Sequence, residues 1–149
     1  MSKPELIRIC PMGSSFEHVG RVNGSLQFMA YVTGDFSCRS PNRPKRCWAV
    51  LHLFKADGSH HQTLAECGGL ADEGLTTAYD EFDQMLGAIE AGNPEITDIW
   101  VKPFEIIVDG VRHGLIYEMS NDGKNEWVML EPRDIMFHGP RWDDGRFST

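Results

Sequence analysis

The chain has no long apolar run. No stretch of its 149 residues approaches the roughly 18 apolar residues with which a helix crosses a membrane. The segment Met1 to Leu6 has neither the charged region nor the apolar region of a signal peptide. We therefore expect a cytoplasmic protein with no membrane partner.

The chain lacks the paired cysteine spacing of metal sites. Cys10, Cys38, Cys47 and Cys67 are the four cysteines, and none of them forms a CxxC or similar metal-binding motif. Cysteines of cytoplasmic proteins are normally reduced. Cys38 and Cys47 flank a loop between two predicted strands, which could bring their backbones close, but we expect free thiols there too.

A second candidate for metal binding is the group His60, His61, Glu66 and Cys67, whose side chains are all competent ligands. His61 and Cys67 share one side of a predicted strand. They are separated by about 20 Å at the rise of ~3.3 Å per residue, so they cannot hold the same ion. No metal site is predicted.

The sequence motifs of common enzyme classes are also absent. The chain contains no nucleophile elbow, P-loop, Gly-x-Gly-x-x-Gly fingerprint or HExxH helix. We predict no cofactor and favour a protein without catalytic activity. An enzyme is the alternative, because catalytic residues converge in space rather than in sequence.

Positive charge is scarce in the second half of the chain. The formal net charge is −8, and residues 75–149 carry six Lys/Arg against fifteen Asp/Glu. A nucleic-acid surface needs clustered cations, so nucleic acid is not expected as a partner. The acidic half could bind a basic protein, as an inhibitor or immunity-type protein does, or it could simply maintain solubility.

What the chain does have is a strand that is apolar on both sides. In residues 47–54, one alternation carries Cys47, Ala49, Leu51 and Leu53, and the other carries Trp48, Val50, His52 and Phe54. A strand with one face in water alternates apolar and polar residues, so this strand requires cover on both faces. A single helix covers one face. We expect a long loop, a second copy of the chain or another partner to cover the other.

One amphipathic helix is predicted after the third strand. Its apolar residues recur at steps of three and four, at Leu75, Tyr79, Phe82, Met85, Leu86 and Ile89. Thr76 or Thr77 is the predicted N-cap, and Gly92 with Pro94 ends the helix.

The fold class that follows is α+β, in a single domain over residues 1–149 with flexible or extended ends at 1–5 and 139–149. Three strands precede the helix and three follow it, and they form a mostly antiparallel sheet of about six strands with the helix on one face. These strands are 25–33, 47–54, 60–67, 99–108, 111–119 and 126–131, and shorter strand candidates lie at 6–10 and 134–138.

Two histidines within predicted strands are the centre of the first candidate site. His52 and His113 have apolar or aromatic neighbours on the same side of their strands. Such histidines commonly belong to a core or an interface, with their ring nitrogens bonded locally. They could instead line a pocket. The full set of pocket or interface candidates is Trp48, His52, Phe54, Trp100, His113, Tyr117 and Trp127.

The second candidate site is the basic loop that precedes the doubly apolar strand. Its cations are Arg39, Arg43, Lys45 and Arg46, with two prolines among them. Such a loop can bind an anion or an acidic protein surface. It can equally be a solvated hairpin loop whose charges prevent edge aggregation.

We expect a small acidic binding or interaction module that acts as a homodimer, because a second copy would cover the second apolar face. The alternative is a small-molecule-binding protein or enzyme with its pocket between the helix and the sheet.

Overall fold

The computed structural model describes residues 3–13, 15–34 and 46–148, and the side chains of all of these except 70–75. Cys38, Arg39, Arg43 and Lys45 lie outside the described residues. The predictions for most of the basic loop, and for a Cys38–Cys47 pair, therefore stay predictions.

The α+β prediction, with one sheet of about six strands and a main helix, was wrong. The described residues form twelve strands in three antiparallel sheets and a single helix. The order is β1 (Ile7–Ile9), β2 (His18–Val22), β3 (Leu26–Gly34), β4 (Arg46–Phe54), β5 (His60–Leu70), α1 (Ala71–Glu90), β6 (Glu95–Ile96), β7 (Ile99–Val101), β8 (Phe104–Val108), β9 (Val111–Met119), β10 (Glu126–Glu131), β11 (Ile135–His138) and β12 (Phe147–Ser148).

The strands before and after the helix belong to different sheets. The first sheet has the order β5-β4-β3-β2-β6, and the second has the order β12-β11-β10-β9-β8. β1 and β7 form a separate two-stranded sheet. The second sheet is a meander whose turns contain Asp109, Gly110 and Gly123 at positive φ angles, which suit tight connections.

The two large sheets share one hydrophobic core. Trp48, Val50 and Phe54 of β4 pack in it with Leu115 of β9 and Val128 of β10. On the other face of β4, Ala49 and Leu51 pack with helix residues, among them Phe82 and Met85. The molecule therefore has three layers, a helix, a central sheet and a second sheet.

This layering accounts for the doubly apolar strand. Its second face is covered by the second half of the same chain, not by a loop or by a second copy. The dimer prediction started from the single helix, which leaves one face of the strand to be covered by a loop, a second copy or a partner. The second sheet covers that face instead, and the oligomeric state itself stays a prediction.

The helix starts earlier than predicted. It begins at Ala71, directly after β5, so Thr76 and Thr77 lie inside it and do not cap it. Phe82, Met85 and Ile89 are buried as the apolar spacing predicted, and they pack on the first sheet. Tyr79 is 51% exposed, which leaves it at the margin of the apolar face.

Pro103 divides the segment predicted as one strand, 99–108. Before it, β7 pairs with β1, and after it, β8 becomes the edge of the second sheet beside β9. A proline cannot donate a ladder hydrogen bond, so the chain changes sheets at this residue. The C-terminal residues contribute β12, which pairs with β11.

Within the described residues, no helix is both long enough and apolar enough to cross a bilayer.

Candidate ligand-binding cleft

Four of the predicted site residues come together in the core between the two sheets. Trp48, His52, Phe54 and His113 are all fully buried. The rings of Trp48 and His113 meet edge to face at 5.1 Å, and His52 meets Phe104 in the same way at 5.0 Å. This group belongs to the packed interior of the domain.

The other three predicted residues lie elsewhere. Trp100 is 38% exposed on β7, with the guanidinium of Arg8 over its ring. The Tyr117 hydroxyl donates to Glu126 at 3.1 Å. Trp127 lines a separate groove of about 510 Å³ at the end of β10, with Met136 and His138. The seven residues therefore do not form one pocket.

A chain of hydrogen bonds crosses the core through His52. Its Nε2 lies 2.9 Å from the hydroxyl of Tyr31, and its Nδ1 lies 2.7 Å from the Oγ1 of Thr63. The same Oγ1 lies 2.7 Å from the Nε2 of His60. Both ring nitrogens of the buried histidine are thus bonded, which is what an imidazole requires when it is removed from water.

Burial controls the protonation of this chain. It holds the pKa of His52 well below its ordinary value, and the neighbouring His113 and His60 act in the same direction. Burial also lowers the pKa of His60 and raises that of Tyr31. At neutral pH the hydrogen-bonded side chains are therefore uncharged. The phenol of Tyr31 keeps its proton, and the imidazoles of His52 and His60 are neutral.

Tyr31, at one end of this series of hydrogen bonds, lines a cleft at the place where β3 extends beyond β2. The pairing of these strands ends at His18 opposite Ala30, and β3 continues to Gly34 without β2 beside it. The helix borders this gap on one side, and the turn between β10 and β11 borders it on the other. The cleft has a volume of about 120 Å³ and is lined by Ser15, Glu17, His18, Ala30, Tyr31, Val32, Tyr79, Phe82 and Arg133.

Arg133 is the cation of the cleft. It projects from the second sheet toward the first, and its guanidinium lies 5.0 Å from the ring centre of Tyr31 and 5.5 Å from that of Phe16. Its Nη1 donates to the carbonyl oxygen of Ser15. Burial lowers the pKa of Arg133, yet a guanidinium stays charged at any physiological pH. A positive charge is thus held in a partly desolvated wall by two aromatic faces.

The opposite wall is apolar and aromatic. Phe82 of the helix meets the ring of His18 edge to face at 5.3 Å. His18 lies 3.9 Å from the carboxylate of Glu17, whose side chain is 71% exposed at the mouth. The described lining residues therefore combine a guanidinium, an imidazole and an apolar surface, with the carboxylate of Glu17 in solvent at the rim.

Of the basic loop, only Arg46 is described. Its guanidinium lies 5.0 Å from the ring centre of Trp48, and its Nη2 donates to the carbonyl oxygen of Asp109. Arg46 thus connects β4 with the turn between β8 and β9. These contacts give it a structural role in addition to any role in binding.

The sequence did not single out Arg133, Tyr31, His18 or Phe82 as members of one site. They come from four separate segments, and no spacing relates them. The only local signal is an arginine between two predicted strands, next to Pro132, which is too common to identify a site. The pairing of Tyr31 with His52 could have been considered, because both lie on adjacent predicted strands.

Within the described residues, no group of three His, Cys, Asp or Glu side chains is arranged to hold a metal ion. Comparisons with family models, with curated proteins and with solved structures gave no match to this chain.

Proposed function

We propose that this protein binds a small organic monocarboxylate in the cleft between α1 and the part of β3 that extends beyond β2. The observation that supports the proposal is Arg133, whose guanidinium is held in the cleft wall over Tyr31. A charge-assisted hydrogen bond from arginine to a carboxylate is among the stronger polar contacts in proteins. It is stronger still where solvent is partly excluded.

The size of the cleft limits the ligand. With a volume of about 120 Å³, the cleft is small beside the ~300–1,000 Å³ of typical ligand pockets, so it suits a small ligand. The apolar contribution of Phe82 and Val32 favours a short aliphatic tail.

The charge of the cleft limits the ligand further. Among the described residues that line the cleft, Arg133 alone carries a guanidinium, which can balance one negative charge, and the carboxylate of Glu17 at the rim repels a second. We therefore infer that monoanions such as propionate or butyrate bind better than dianions such as succinate or hydrogen phosphate.

The test is a titration of ¹⁵N-labelled protein with sodium propionate, followed by two-dimensional NMR, with sodium chloride at equal ionic strength as the reference. We expect saturable shifts of the amide signals around His18, Tyr31 and Phe82. Arg133→Gln should abolish the saturation, while Arg141→Gln should not. Arg141 is a matched control, because its side chain is 75% exposed and its loss changes the net charge equally.

Because Arg133 also contacts Phe16 and Tyr31, each variant is first checked for cooperative thermal unfolding. Arg133→Lys retains the charge but not the planar guanidinium, and it should bind more weakly than wild type. Equal titration curves for the two glutamine variants, or shifts no larger than those produced by chloride, would contradict the proposal.

A further inference from the structure

The outer edge of β5 differs from an ordinary exposed edge. The strand has 11 residues, and among the described residues only β4 pairs with it. Natural edge strands are protected by brevity, proline, lysine, β-bulges or a covering segment. The pairing of β5 with β4 is irregular near both ends of the strand, but it keeps a regular register from Gln62 to Cys67. The strand contains no proline and no lysine, and Glu66 is its only carboxylate. The helix packs on one face of the sheet, and among the described residues no strand pairs with the outer edge of β5.

The side chains of β5 are also self-complementary. Gln62, Leu64 and Glu66 lie opposite Leu53, Leu51 and Ala49 of β4, so all three point to the helix side of the sheet. If a second β5 runs antiparallel with Leu64 as the centre, Leu64 faces its own copy. Gln62 then faces Glu66 of the partner subunit, on both sides of the centre. An amide can donate to a carboxylate in each of these pairs, and Leu64, which is 40% exposed, becomes covered.

We propose that a second copy of this chain pairs with β5 through this register and that the protein is a homodimer with one continuous ten-stranded sheet. In this register, even-numbered residues face even-numbered residues and odd face odd. Side chains that point to the helix side in one copy therefore lie beside side chains that point to the helix side in the other. The two-fold axis is therefore perpendicular to the sheet at Leu64, and both helices lie on the same side. Closed two-fold dimers of this kind are the commonest homo-oligomers. The proposal does not depend on the cleft or on its ligand.

Light scattering coupled to size exclusion is the first measurement. It should give about twice the chain mass of 16.8 kDa. Each copy carries a formal charge of −8, so the dimer should become tighter as salt is added. A mass of one chain at every protein and salt concentration would overturn the proposal.

The register is tested by single cysteine variants under mild oxidation. Leu64→Cys places the new thiol opposite its own copy. The Cβ atoms of such a cross-strand pair lie about 4.5–5.5 Å apart, and a shift of about 1 Å brings them to the ~3.5–4.5 Å of a disulfide. Gln62→Cys is the matched control, because its two copies would be four residues apart, or about 13 Å. We expect a covalent dimer on a non-reducing gel for Leu64→Cys, and none for Gln62→Cys or for wild type. Cross-linking of Gln62→Cys instead of Leu64→Cys would overturn the register.

A charge exchange provides an independent test. Gln62→Glu places two pairs of carboxylates opposite each other and should weaken the dimer roughly 3- to 30-fold. Adding Glu66→Lys to that variant should restore the affinity, because each pair then becomes oppositely charged. Both side chains are exposed, so folding should be unchanged, and circular dichroism checks this. A dimer that neither substitution affects would contradict pairing through β5.

Discussion

Tyr31 and His52 form a buried hydrogen bond between the neighbouring strands β3 and β4, with 2.9 Å between the hydroxyl oxygen and Nε2. Neither residue is more than 4% exposed. The bond lies between the cleft, which Tyr31 lines, and the packed interior, where His52 meets Phe104. A polar contact at this place contributes to stability and also fixes the aromatic ring that supports Arg133.

Tyr31→Phe should destabilise the protein, because it leaves the Nε2 of His52 without that partner in a site that water does not reach. A buried polar group left without a hydrogen bond costs about 1–3 kcal/mol. Tyr79→Phe is the control, since that side chain is 51% exposed and its hydroxyl can bond to water. Urea titration measures both. Equal free energies of unfolding for the two variants would show that the bond contributes little.

The stability of the protein should fall as the pH drops below about 6.5, the ordinary pKa of histidine. Burial holds the pKa of folded His52 well below that value, so the unfolded chain takes up a proton that the folded protein does not. The stabilisation is complete above the unfolded pKa and is lost progressively as the pH falls toward the folded pKa. One such proton gives a slope of up to about 1.4 kcal/mol per pH unit.

Denaturant titrations between pH 7.5 and pH 5 measure how the free energy of unfolding changes with pH. The slope should be smaller in His52→Gln than in wild type. Some slope should persist, because burial lowers the pKa of His60 in the same direction. If His52→Gln kept the wild-type slope, the loss of stability at low pH would come from a group other than His52.

Phe82→Ala should cost roughly 3–5 kcal/mol, because Phe82 is the largest side chain that the helix buries against the first sheet. Asp83→Ala, one residue further along and exposed, should change the free energy of unfolding by less than about 0.5 kcal/mol. Similar losses in the two variants would mean that the helix contacts the sheet through a different face.

Two glycine-to-alanine changes should have opposite signs. Gly114 has a φ of +144°, and a Cβ there would lie 2.1 Å from the carbonyl oxygen of Phe104 on the adjacent strand. Gly114→Ala should therefore destabilise the second sheet by about 1–3 kcal/mol or more. Gly87 lies in the helix with nothing within 4 Å of a Cβ, so Gly87→Ala should stabilise by roughly 0.5–1 kcal/mol. Thermal unfolding of both variants gives the signs directly, and a stabilising Gly114→Ala would contradict the described approach of β8 and β9.

Local patterns in the sequence were sufficient to locate most of the longer strands. The segments 111–119 and 126–131 match β9 and β10, and 47–54 differs from β4 by one residue. Alternation of apolar residues and the Asp-Gly turns are local signals, and the backbone follows them. The strands β2, β6 and β12 were not predicted, because short strands with few apolar residues acquire their pairing only from neighbours that are distant in sequence.

The sequence by itself determined that residues 47–54 are buried on both faces and that Phe82, Met85 and Ile89 cover one of them. Only the tertiary structure decided what covers the other. The pattern of a strand specifies that a face is apolar but not which apolar face it meets, and a second sheet satisfies Trp48, Val50 and Phe54 as well as a second chain would. The cleft likewise results from tertiary packing. Arg133 reaches Tyr31 because the two sheets pack face to face, and no property of either segment encodes that distance.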